Sequence, residues 1–234
     1  MQNKYFGDIH DFYKYYFLKE ITKDYSLGIH WCLYPNEMEK NEGNYPLTLK
    51  EKDIDPELYE LLLENRHKGV KYIKPYFKKN LPKKTEYYEE ELKNDIENNV
   101  YEEKAIDKLK NKDIIFFDPD TGIEVSGMKK NEKYKYVTYQ LLVEFWRRGK
   151  SLIIYQHIRI DNEKTYEWLV KKVRKLYDAI NQEANVILVK TKKVYYICFI
   201  QGDKHYIILD ELARLNQKEI YTIENWEGTG DIMC

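Results

Sequence analysis

Apolar positions along this chain follow two periods. In residues 8–25, Ile9, Phe12, Tyr13, Tyr16, Phe17 and Ile21 recur every three or four places. That spacing predicts a helix, with Asp8 standing where a cap belongs. Residues 27–34 read as a strand stopped by Pro35 and Asn36, and residues 37–45 as a polar loop. Asp55 followed by Pro56 has the cap-then-proline order that opens a helix, with Gly69 as its stop. Residues 70–77 are predicted as a strand, and the Lys-, Glu- and Asn-rich residues 78–112 as a solvated helix pair or an insertion. The unbroken apolar runs 114–117 and 151–156 predict strands covered on both faces, because neither alternates. Between them lies a helix over 139–148 with Gly149 as its stop. A long amphipathic helix is predicted over 162–180, and strands at hairpin spacing over 186–189, 194–200 and 206–209.

Strands alternating with helices and then running together predict an α/β fold. The expected form is a three-layer sheet, mostly parallel, with an antiparallel C-terminal edge. No internal repeat or Gly/Ser/Pro-rich linker divides the chain, so residues 1–234 are expected to form one domain. That length suffices for a substantial core.

Composition narrows the partners only a little. With a net charge of -1, global charge points to no partner, so any nucleic-acid surface must be local. The 23 tyrosines suit base stacking, but an AT-rich coding bias raises tyrosine as well. The three cysteines, Cys32, Cys198 and Cys234, are far apart and form no zinc or redox spacing, which fits a reducing compartment. No run approaches a membrane span or a signal-peptide core. The expectation is a soluble cytoplasmic protein without a membrane partner; oligomeric state is not legible.

Three segments carry candidate chemistry. The first apolar strand runs into Asp118, Pro119 and Asp120, with Gly122 permitting a turn. Two acids are thereby delivered at the carboxyl end of a strand, where open α/β sheets place ligands; the same residues also make a good solvated turn. The second apolar strand ends in Tyr155, Gln156, His157 and, after Ile158, Arg159. One helix separates the two strands, the length of a right-handed crossover. As parallel neighbours they would gather Asp118, Asp120, Gln156, His157 and Arg159 at one edge. There His157 suits proton transfer and Arg159 phosphate recognition, although a histidine at a strand end is also an ordinary surface residue. The third segment holds Asp8, His10, Asp11 and Lys14 about one helical turn apart. Acids near a helix start are explained by capping alone, whereas His10 and Lys14 are not. His30, inside an apolar strand, reads as a core histidine.

The order of these segments resembles the J-type ribosomal RNA adenine-amino methyltransferases. Those begin with a Gly-Asn-His-Ala-Asp-Val-Leu-Lys-like helix, carry an Asp-Pro-Pro-Tyr strand end, and then a strand ending in Tyr-Pro. The counterparts here are residues 7–14, 118–121 and 152–157, with Gly7, Asp11, Lys14, Asp118 and Pro119 as the matching residues. Uncharacterised bacterial proteins with an Asp-Pro-Asp and Tyr-Gln-His pair are similar too. The resemblance implies a Rossmann-like methyltransferase fold, S-adenosylmethionine as cofactor, and Asp118 accepting from a target amino group. It breaks at two places. Asp120 and Thr121 replace the residues that would stack on a base, and residues 34–37 lack the glycine-rich cofactor loop, Gly43 being the nearest glycine.

The expectation for function is therefore a nucleic-acid-acting enzyme, DNA or RNA, with hydrolysis favoured: base excision, or phosphodiester cleavage with Mg²⁺ held by Asp118 and Asp120. Asp118, Asp120 and His157 would be catalytic; Asp8, Asp11, Lys14, Gln156 and Arg159 would bind substrate. Defence against foreign DNA is a role by analogy. The alternatives are an S-adenosylmethionine-dependent base methyltransferase and a non-catalytic nucleic-acid-binding protein.

Overall fold

A computed structural model describes the chain except residues 1, 36–44, 82, 93–97, 129, 159–162, 182–183, 192–193, 218–219, 227–231 and 234. Helix α1 (Ile9–Ile21) leads into β1 (Leu27–His30), then α2 (Leu49–Ile54) and α3 (Pro56–Glu64). A short 3-10 turn (Val70–Ile73) runs into α4 (Lys74–Asn80), followed by β2 (Glu86–Tyr88) and α5 (Asn98–Leu109). Next come β3 (Ile114–Phe117), β4 (Gly122–Ile123), β5 (Tyr136–Val137), α6 (Tyr139–Arg147), β6 (Ser151–His157) and α7 (Glu163–Ala179). The chain closes with β7 (Asn185–Thr191), β8 (Val194–Ile200), α8 (Lys204–Asn216), β9 (Thr222–Trp226) and β10 (Ile232–Met233).

The fold is mixed α/β. Its main sheet has the order β10-β9-β7-β8-β6-β3-β1-β2, and β4 pairs with β5 apart from it. Strands β2, β1, β3 and β6 are parallel neighbours. β8 runs antiparallel to β6 and β7, and β7, β9 and β10 continue with antiparallel pairs. The unbroken apolar run of β3 follows from burial on both sides. Ile114 and Phe116 join a cluster with α1, α3, α4 and α8, whereas Ile115 and Phe117 join one with α5, α6 and α7.

The structure corrects several expectations. Residues 70–77 are not a strand but the 3-10 turn and the start of α4. Their buried members, Val70, Ile73, Tyr76 and Phe77, fall at spacings of three to four, and Pro75 sits in the first turn of α4. Residues 206–209 belong to α8, whose buried side is Ile208, Leu212 and Leu215. In place of a helix pair, the described residues of 78–112 hold the end of α4, the sheet strand β2 and helix α5. β1 ends at His30, four residues earlier than the apolar run suggests. The loop expected over 37–45 lies, but for Tyr45, outside the described residues. Among these residues no helix is long and apolar enough to cross a membrane.

Candidate active site at the ends of β3 and β6

Asp8 begins the site as a helix cap: its Oδ1 accepts the backbone N–H of His10 at 2.9 Å and of Asp11 at 3.0 Å. The Asp11 carboxylate accepts the Gly7 N–H at 2.8 Å. One turn on, Lys14 points into the protein and is only 3 % exposed. Its Nζ stands 2.6 Å from Asp11 Oδ1 and 2.7 Å from Asp118 Oδ2. Tyr15 and Tyr155 flank the ammonium, with ring centres 5.0 and 5.4 Å away. Asp118 is placed by the parallel register of β1, β3 and β6, and its N–H continues the ladder to the His30 carbonyl at 3.0 Å.

Electrostatics separate these groups. Burial, helped by the neighbouring Asp11 carboxylate, pushes the Asp8 carboxyl up to about 7. Burial also raises the Asp118 carboxyl above its ordinary value, against the pull of Lys14. Burial alone would lower the Lys14 ammonium, yet Asp11 and Asp118 outweigh it and hold it above its ordinary value. The arrangement is a charged lysine between two acids, with a third acid that is half protonated near neutrality.

His157 marks the open side of the site. It is exposed, and its ring lies 5.9 Å from His10 and 5.8 Å from Tyr155. His10 in turn meets the exposed Tyr45 at 5.0 Å. Asp8, Asp11, Lys14 and Asp118 are thus brought together, and His157 joins them through Tyr155 and α1. Asp120 is partly exposed on the following turn. Gln156 is fully buried and holds that turn: its Nε2 donates to the Thr121 carbonyl at 2.7 Å, and its Oε1 accepts the Ile123 N–H at 3.1 Å. Arg159 lies outside the described residues.

Sequence reasoning did not select Tyr15, Tyr155 or Tyr45. The available signal for Tyr155 was its place beside Gln156 and His157; tyrosine abundance masked the other two. No family model, no curated protein and no solved structure matches the chain.

Two candidate cofactors can be tested against the residues present. Among the described residues no group of three or more His, Cys, Asp or Glu is placed to hold a metal ion, and the Asp118 carboxylate is engaged by Lys14. An ion at Asp118 would compete with Lys14, and these residues form no all-protein cage for Mg²⁺. Nor does S-adenosylmethionine fit the described residues at the end of β1. There Trp31, Leu33 and Tyr34 are buried, and His30, Cys32, Tyr101, Glu102 and Thr138 help to enclose a cavity of about 30 Å³. That is the space of roughly one water, whereas pockets for ligands of cofactor size run to roughly 300 Å³ or more. Cys32 makes a left-handed turn at φ 47 and adds a side chain where a glycine loop would leave room.

Proposed function

We propose that the chain hydrolyses an N-glycosidic bond in DNA or RNA, as in base excision, at the site built on Asp118, Lys14 and Asp8. The observation that carries this reading is Lys14 clamped between Asp11 and Asp118, with the buried Asp8 carboxyl beside them and burial pushing it up to about 7. Glycosidic hydrolysis asks for one carboxyl that gives a proton and one that stays ionised; burial raises both Asp8 and Asp118, and Lys14, in contact with Asp118, opposes the rise there. Lys14 favours the ionised form of Asp118, which would stabilise the sugar cation and receive a proton from the attacking water. Asp8 would deliver its proton to the leaving base. The carbon–nitrogen bond breaks, water adds to the sugar carbon, and the protons balance. His157 and His10 at the rim would contact the phosphates that flank the target.

The methyltransferase-like scaffold remains the reading of the fold. In the six strands from β7 to β2, five share one direction and only β8 is reversed, with the acid-bearing β3 beside β1. Methyl transfer itself is disfavoured by the buried side chains at the end of β1.

Incubation with labelled single- and double-stranded DNA and RNA, normal and base-modified, followed by gels with and without alkali, tests the reading. The expected result is breaks that need alkali, lost in Asp118→Asn. Breaks without alkali, or activity unchanged by Asp118→Asn, would overturn it. On the alkaline side the rate should fall above about pH 7, where Asp8 loses its proton.

A further inference from the structure

A second buried lysine stands on the opposite face of the sheet, among the α7 side chains. Lys172 is 5 % exposed, and its Nζ donates to the Ile123 carbonyl and lies 3.4 Å from Gln156 Oε1. Gln156 is itself fully engaged. Its Nε2 donates to the carbonyls of Thr121, at 2.7 Å, and His157, at 3.0 Å, while its Oε1 also accepts the Ile123 N–H at 3.1 Å. Exchanging the amide oxygen and nitrogen would set donors against donors, so the network admits one orientation.

This network ties together the two chain segments that form the candidate site. Thr121 and Ile123 follow Asp118 and Asp120 directly, and His157 ends β6. Gly122 lies so close that a Cβ there would meet Gln156 Oε1 at 2.2 Å. We propose that Lys172 is a positioning residue: through Gln156 and Ile123 it fixes the turn after β3 against the end of β6. The ammonium, with three protons, is the form that satisfies these partners, so the turn is held while Lys172 is charged.

The surroundings support both parts. The ammonium lies 4.1 Å from the Trp168 ring centre and 6.0 Å from that of Tyr136. Three protons match the Ile123 carbonyl, the Gln156 oxygen and the Trp168 face; the neutral amine would turn its lone pair on that face or give up a bond. Among the charged groups around it, Glu124 favours the ammonium and accepts the Tyr139 N–H at 2.8 Å. Glu102 of α5 is engaged by Thr138, and Lys175 of α7 lies over the Tyr139 ring. Burial outweighs Glu124 and lowers the Lys172 amine to about 7.

The proposal rests on Asp118 and His157 sharing a site, but its test needs no activity. Carbon-13 NMR of labelled lysine and amide NMR would be followed from pH 5 to 10 in the wild-type chain, in Asp8→Asn, which removes the raised Asp8 carboxyl, and in His157→Gln, which removes the imidazole at the end of β6. The expected result is a Lys172 midpoint near 7, with the Ile123 amide and the amide of residue 157 moving at the same midpoint in all three proteins. In Lys172→Met the Ile123 amide should stop titrating and exchange with solvent about tenfold faster, the loss of one hydrogen bond. A Lys172 midpoint near that of free lysine, or Ile123 and His157 amides unmoved as it titrates, would overturn the proposal. Because the wild-type titration suffices, a variant that fails to fold does not protect it, and a failed oligonucleotide assay leaves this readout intact.

Discussion

Lys14 reaches across 104 residues of chain to Asp118 and closes on it at 2.7 Å, with both side chains almost wholly removed from solvent. The same ammonium holds Asp11 at 2.6 Å, so two acids share one cation in the interior. Buried pairs of this kind add little net stability, because desolvation offsets the attraction; breaking one leaves an uncompensated charge.

Lys14→Met should therefore destabilise the fold by roughly 3–5 kcal/mol in urea unfolding at pH 7.5. Adding Asp118→Asn should restore part of that loss, a coupling of at least about 1 kcal/mol. Additive losses would show that the pair does not interact as the geometry indicates.

The Asp8 carboxyl gives stability a defined pH dependence. Its folded value is raised to about 7, so from about pH 4 to 7 the folded state holds a proton that the unfolded state has released. This contribution is fully present below the unfolded value and is lost as pH rises through 7. His30 acts oppositely: burial lowers its imidazole to about 3, so its contribution grows as pH rises toward 6.5. Comparing wild type with Asp8→Asn isolates the first effect, since asparagine still caps α1. The stability advantage of Asp8→Asn should be greater at pH 8 than at pH 5.

Gly122 sits at φ 125, and a methyl group there would collide with the Gln156 amide. Gly122→Ala should cost about 2 kcal/mol or more. Gly122→Ala with Gln156→Ala removes the collision but keeps the backbone strain, and should not recover full stability in thermal unfolding.

Burial pushes the Cys32 thiol up to about 12 and raises Cys198 as well. In the native protein both should resist iodoacetamide at pH 8, as neutral thiols shielded from solvent. Peptide mass spectrometry should show them labelled only as urea unfolds the chain; rapid native labelling would contradict their placement.

Where a local period is long, the sequence sufficed. α1, α6 and α7 lie where their apolar spacing put them, and β3 and β6 where unbroken apolar runs did. Four adjacent apolar residues, Tyr206 to Leu209, resembled a strand, yet Tyr206 and Ile207 are exposed and the helical period is completed only at Leu212 and Leu215. The pairing of Lys14 with Asp118 could not be read, because no local pattern says which distant acid a lysine meets. A signal for Lys172 did exist: it stands on the apolar stripe of Leu169, Val173 and Leu176, where a solvated lysine does not belong.

The reach of Lys14 also orders events as the chain acquires its shape. α1 leaves the ribosome before β3; within it Lys14 has Asp11 as one partner, but the second acid that meets its buried ammonium arrives more than a hundred residues later. Until β3 has joined β1, the amino-terminal helix has reason to stay in water. Final closure of α1 is thus expected to be a late step, with low φ-values at Lys14 and high ones among β1, β3 and β6. The contact that shapes the candidate site would then also report that the sheet beneath it is complete.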